Sequence, residues 1–157
     1  MAVDHDTFRT LLSRFLSGVT IVTLRDGEGR PQGMTVSSFC SVSLEPPLIL
    51  VCIEKAASLH DQLTKAETFA VNVLADDQEE LSRRFADTGI AARFDGIAWA
   101  DGGAGPVLTG AHATLDCHSF ACYPGGDHTI LLGEVISGTT GRGSPLLYYR
   151  GGYGQLG

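Results

Sequence analysis

The stretch from Gly33 to Ser43 carries five hydroxyls, on Thr35, Ser37, Ser38, Ser41 and Ser43, and Leu48 to Ile53 is among the most apolar runs in the chain. A strand with short polar side chains leaves its own backbone open to a flat ligand, while a strand of Val, Ile and Leu is fit only for burial. Side by side, the two make a small-molecule site built on a sheet. Past Ile53 the chain reads Glu54-Lys55-Ala56-Ala57-Ser58 and then takes up helical spacing. A helix start offers unpaired N–H groups and a partial positive charge, to which the Lys55 ammonium and the Ser58 hydroxyl would add. This segment therefore reads as a phosphate cradle; the alternative is an ordinary capped helix beside a solvated lysine.

A second feature is Gly125-Gly126-Asp127-His128-Thr129. A histidine that follows a glycine turn and opens an apolar strand sits at a barrel mouth, where it can donate a hydrogen bond or change charge near neutral pH. The alternative is a surface histidine in a hairpin turn. His112, Cys117, His118, Cys122 and His128 are of zinc-binding type, but their spacing matches no compact finger, and Cys117 and His118 would point to opposite faces of a strand. No metal is expected. Phosphate-loop and dinucleotide fingerprints are absent: Gly103-Ala104-Gly105-Pro106 lacks a third glycine, and Gly141-Arg142-Gly143-Ser144-Pro145 has no helix after it. Near the end, Tyr148, Tyr149 and Tyr153 line up at strand spacing, with Tyr149 and Tyr153 on one side and Tyr148 on the other.

Several elements must position these groups. Phe8, Leu11, Leu12, Phe15 and Leu16 recur at helical spacing, which predicts an amphipathic helix over residues 6–17, ended by Gly18. Strands are expected over residues 19–24 and 32–36, joined by the turn Asp26-Gly27-Glu28-Gly29, and over residues 48–53 after a double proline. Ser58 with Asp61 reads as the N-cap of a helix to about Ala66, and Asp76 with Glu79 as the cap of another through Phe85. Residues 69–73, 107–120, 129–137 and 146–149 are further strands, and residues 88–105 are mostly loop with a short strand near Trp99. About seven strands and three short helices without regular alternation predict an antiparallel barrel with helices at its rim.

At 157 residues the chain fits one domain, residues 1–157, with room for a full core. A net charge of −7 argues against nucleic acid and anionic membrane as partners, so an anionic ligand needs a local cationic pocket. The acidic N-terminus lacks a signal-peptide core and no run is long enough to span a bilayer, so a cytoplasmic location is expected. Four cysteines without a CxxC pair are expected as buried, reduced thiols.

Taken in order, these segments resemble the short-chain NAD(P)H-dependent flavin reductases that serve two-component monooxygenases. The resemblance runs from Phe15-Leu16-Ser17-Gly18-Val19-Thr20-Ile21-Val22-Thr23 through 33–53, 69–74, 81–85, Arg93-Phe94 and Pro106-Val107-Leu108. It ends with Gly126-Asp127-His128-Thr129-Ile130-Leu131-Leu132-Gly133-Glu134-Val135 and Pro145-Leu146-Leu147-Tyr148-Tyr149-Arg150. It implies a mainly β, FMN-binding split β-barrel, antiparallel and Greek-key-like with short peripheral helices, in a homodimer. It implies hydride transfer from NADH or NADPH to FMN or FAD, with reduced flavin passing to a monooxygenase; a flavin-binding protein without turnover is the alternative. By the same resemblance Thr35, Val36, Ser37 and Ser38 lie along the isoalloxazine and ribityl chain. Cys52, Ile53, Glu54, Lys55 and Ser58 hold the ribityl and phosphate end, and Phe94 with Arg93 lies near the flavin. Gly126 and His128 stand at the nicotinamide, with His128 as the catalytic contact and Tyr149 as a further cofactor contact. The chain departs from the family at Val36-Ser37, where Ala-Asn is common, and over Ser119 to Pro124, which follows no shared pattern.

Overall fold

The computed structural model describes all residues, 1–157. Helix α1 (His5–Leu12) is followed by β1 (Ser17–Gly18), β2 (Thr20–Arg25), β3 (Pro31–Val36), β4 (Phe39–Ser43) and β5 (Leu48–Glu54). Then come α2 (His60–Lys65), β6 (Thr68–Val73), α3 (Glu79–Ala86), β7 (Trp99–Asp101) and β8 (Pro106–Leu108). The chain closes with β9 (Ala113–Gly125), β10 (His128–Thr140), β11 (Leu147–Tyr149) and β12 (Gly152–Gly154). Seven strands form one antiparallel sheet in the order β3-β2-β6-β9-β10-β5-β4.

That sheet curls into a barrel. In a flat sheet β2 and β5 would lie roughly 19 Å apart, four spacings of about 4.8 Å. Yet Val22 and Leu24 of β2 share one core with Val51 and Ile53 of β5, and with Phe69, Val71, Cys117 and Leu131. Leu59 and Leu63, at the start and middle of α2, belong to the same core, so this short helix closes off one side of the barrel interior. A second core lies on the outer face of β2, where Val19 and Ile21 pack with Leu74, Phe85, Phe94, Leu108 and Leu146. β2 is thus buried on both faces, from Thr20 to Leu24 without a break.

The mainly β, antiparallel architecture is as expected, and several details differ. The first helix stops at Leu12, capped at its start by Asp4, whose carboxylate accepts from Thr7 N–H at 2.7 Å. None of its residues is buried, so its apolar face does not pack on this chain's own core. Ser58 is not an N-cap: α2 begins one residue later, after Leu59, without a side-chain cap, and is only six residues long. Nor does Asp76 cap α3; Gln78 holds that position, and its side-chain oxygen accepts from Ala75 N–H. The hydroxyl-rich stretch read as one strand is two, β3 and β4, and β12 was not expected, because its Gly-Tyr-Gly carries no apolar alternation. The single strand expected over 107–120 is two strands, broken by the turn at Thr109–Gly110.

Tyr148 and Tyr153 face each other across β11 and β12 with rings 5.3 Å apart. The side-sharing expected for Tyr149 and Tyr153 fails because Arg150 and Gly151, at φ 52° and 77°, fold the strand back on itself. All four cysteines are unpaired, but only Cys117 is buried; Cys40 and Cys122 are exposed. Burial pushes the Cys117 thiol up to about 12, so it stays protonated and inert.

The β2–β3 turn is held by Asp26. Its carboxylate accepts from the backbone N–H of Glu28 and of Arg30, both at 2.9 Å, and from Arg30 Nε. These bonds, the Arg30 backbone N–H first, lower its pKa from 3.8 to about 2. A carboxyl whose folded pKa is depressed contributes stability above its unfolded pKa, and that contribution fades as pH falls from about 3.8 toward 2. An NMR titration is expected to place the Asp26 midpoint near 2, with the Glu28 and Arg30 amides losing exchange protection over that window. A midpoint at 3.8 would contradict the turn's hydrogen bonding.

Candidate functional site

The hydroxyl-lined ribbon divides by the two-residue period of a strand. Val36 points into the barrel core, whereas Thr35 faces α3, where its hydroxyl donates to the Ser82 carbonyl at 2.7 Å. Thr35 and Ser37 line a hollow of about 200 Å³ with Val19, Ser82, Tyr148 and Tyr153. Ser82 Oγ and Tyr153 OH are 2.7 Å apart on its wall. This polar wall was not read from the sequence, because Ser82 looks like any helix-surface serine until Tyr153 folds onto it.

Ser38 lies beyond the end of β3 and reaches across to β5. Its hydroxyl is 3.1 Å from the Cys52 carbonyl and 3.3 Å from the Cys52 N–H. From Cys52 the outward face of β5 leads to Glu54, which pairs with His128 at the start of β10. Lys55 N–H donates to the Asp127 carbonyl at 2.9 Å, so the end of β5 and the glycine hairpin are stitched together. Gly126 sits at the tip with φ +70°, a conformation that L side chains rarely adopt. The His128 ring is 40% exposed and its Nδ1 lies 2.7 Å from Asp127 Oδ1. A carboxylate only accepts, so Nδ1 carries the proton and Nε2 is left as the acceptor nitrogen of the ring. The same hydrogen bond with His128 holds the Asp127 carboxyl below its ordinary range. Ser38, Cys52, Glu54, Lys55, Gly126 and His128 thus come from three separate segments to one end of the sheet.

Ser58 and Arg93 meet elsewhere, in a cleft of about 310 Å³ that they line with Gln32, Leu59, Gln62, Thr88, Ile90 and Ala91. Arg93 donates from Nη1 to the Gly33 carbonyl at 2.9 Å and from Nη2 to the Asp87 carbonyl at 3.1 Å. Its Nε is buried without a partner, and burial lowers its pKa from the ordinary value. A hydroxyl, an amide and a guanidinium with a donor to spare fit an oxyanion such as a phosphate ester. Lys55 does not line this cleft. Ile53 and Phe94 are buried: Ile53 is in the barrel core, and Phe94, 8% exposed, packs edge-on to Phe85 at 5.0 Å and near Trp99. Tyr149 is exposed on the C-terminal ribbon. The five zinc-type residues do not gather into any group of three.

The flavin reductase like domain model matches residues 12–157. The chain belongs to the flavin reductase family. The NADH-dependent FAD reductase of Streptomyces globisporus is 46% identical over 142 residues, spanning 87% of this chain and 76% of that protein. FMN reductase (NADH) SmoA of Agrobacterium fabrum is 43% identical, spanning 96% of this chain and 85% of its own. The solved structure of the Streptomyces globisporus C-1027 NADH:FAD oxidoreductase SgcE6, in complex with NAD and FAD fragments, superposes with a TM-score of 0.91 at 40% identity. The match covers 100% of this chain and 97% of that one. The curled antiparallel sheet described above is therefore the split β-barrel of this flavin reductase family.

Proposed function

We propose that this chain is an NAD(P)H:flavin oxidoreductase that passes hydride from NADH or NADPH to FMN or FAD and supplies reduced flavin to a partner monooxygenase. The observation that carries the reading is the row Ser38, Cys52, Glu54, Lys55, Gly126 and His128, gathered at one sheet end in a chain matched by the family almost throughout. Relatives named as NADH-dependent FAD and FMN reductases, and as a reductase subunit of a flavin-dependent monooxygenase in Rhodococcus jostii, support it.

When bound, flavin accepts a hydride and its electron pair from the nicotinamide ring, and neither ring needs a protein nucleophile. The protein's part is to hold two rings in contact and keep water from between them. Ser38 and Cys52, both small and joined by the Ser38 hydroxyl, leave room for a flat ring to rest against them. Ser58 and Arg93, with Gln62, bind the phosphate end. His128 Nε2 orients the nicotinamide, while Asp127 fixes which ring nitrogen carries the proton.

The chain works as a homodimer in the cytoplasm, without nucleic acid or membrane as partner. The apolar residues of α1, Phe8, Leu11 and Leu12, together with Phe15 beyond it, are all exposed in one copy, a face suited to a second copy. No helix is long and apolar enough to cross a membrane. The deciding experiment is NADH and NADPH oxidation with FMN, FAD and riboflavin added in turn. Stimulation by free flavin is expected. Tight stoichiometric flavin without turnover would replace the reading with a flavin carrier.

A further inference from the structure

His60 was not singled out in the sequence, and it occupies the joint between the two halves of the site. It is the first residue of α2, its side chain is 16% exposed, and both ring nitrogens are engaged. Nδ1 lies 2.8 Å from Asp61 Oδ1, and Nε2 lies 2.8 Å from Thr129 Oγ1. The carboxylate can only accept, so Nδ1–H donates to Asp61 and Nε2 accepts from the Thr129 hydroxyl. Thr129 follows His128 directly and pairs with Ile53 on β5. The hairpin is thus tied at two points to the segment after β5: Lys55 N–H holds the Asp127 carbonyl, and the His60 ring holds Thr129.

We propose that His60 is a positioning residue, which locks the His128 hairpin to the loop bearing Lys55 and Ser58 so that the hairpin facing the nicotinamide and the segment leading to the phosphate cleft keep one relative geometry. This rests on the flavin reductase reading. β10 stays paired to β5 without this contact, His128 with Glu54 and Thr129 with Ile53, so its loss is confined to how firmly the hairpin tip presents His128; NADH binds more weakly when the competent placement of that tip is less populated. Asp61 serves the same end by fixing the tautomer that lets Nε2 accept.

The test is a double-mutant cycle on the purified protein, with NADH as the varied substrate and saturating FMN. His60→Ala and Thr129→Val are each expected to raise KM for NADH about three- to tenfold, the worth of one such hydrogen bond. The double variant is expected to be no worse than the poorer single one, because both remove the same contact. His60→Gln, whose side-chain oxygen can accept from Thr129, should restore most of the loss. A merely structural role would lower Tm without this pattern in KM. Unchanged KM in both single variants, or additive losses in the double, overturns the positioning role while leaving the activity standing. Should His60→Ala not fold, Thr129→Val and His60→Gln carry the comparison. Failure of the unaltered protein to oxidise NADH with any flavin overturns the underlying reading, and this inference with it.

Discussion

Replacing His128 with alanine is expected to slow reduction of bound flavin by roughly tenfold or more, a loss of the size set by one well-aimed hydrogen bond and the ring placement it enforces. Flavin affinity should change far less. The separation follows from where the residue stands. His128 opens β10 at the hairpin tip, with its ring partly exposed, whereas the cleft suited to a phosphate is lined by Ser58, Gln62 and Arg93. Its Nδ1 is committed to Asp127, so what alanine removes is the group presented through Nε2. Stopped-flow reduction by NADH, monitored at the flavin absorbance, reads the rate directly, and a flavin titration reads the affinity. Reduction at the unaltered rate would remove His128 from the reaction. Asp127→Asn should act in the same direction but more weakly, because an amide still meets the ring nitrogen and no longer dictates its tautomer.

Asn72→Ala is expected to destabilise the protein by about 3 kcal/mol, a fall in Tm of roughly 6–12 °C for a chain of this size. Asn72 is fully buried on β6. Its Nδ2 donates to the Ile21 carbonyl at 3.0 Å and lies 3.2 Å from Thr23 Oγ1, while its Oδ1 accepts from Leu108 N–H at 2.9 Å. Thr23 in turn donates to the Pro106 carbonyl at 2.6 Å. One amide therefore joins β2 and β6 to the end of β8. Without it, the Leu108 N–H and the Ile21 carbonyl's side-chain partner are lost in a water-free interior, where an unmade bond costs most. Urea unfolding followed by tryptophan fluorescence suits the measurement, because Trp99 packs in the adjoining outer core. A loss below about 1 kcal/mol would mean that the site relaxes or admits water.

The site was legible where chemistry depends on residue type and close spacing. The glycine turn before His128 and the apolar strand after it appear as expected, since Gly126 needs its positive φ and the run Thr129 to Leu132 is partly or wholly buried, Leu131 fully. The hydroxyls of residues 35–38 were legible as a group but not as individuals: alternation sends Val36 inward, Thr35 to α3 and Ser38 to β5. The Ser58 capping signal misled because a cap motif is a local preference, and burial of Leu59 and Leu63 set where the helix begins. His60 gave no signal, since its partner Thr129 is 69 residues away.

By itself the sequence determined the class of fold, the family, the hairpin turns and the apolar strands, because each is written in neighbours along the chain: alternation, turn residues and ordered motifs. The tertiary structure alone decided that Ser58 and Arg93 share a cleft apart from Lys55, that Phe94 is a core ring, and that His60 grips the His128 hairpin. Those facts depend on how tightly a seven-stranded sheet curls and in what order its strands pair. That order is set by the summed burial of side chains far apart in the chain, which no local pattern encodes.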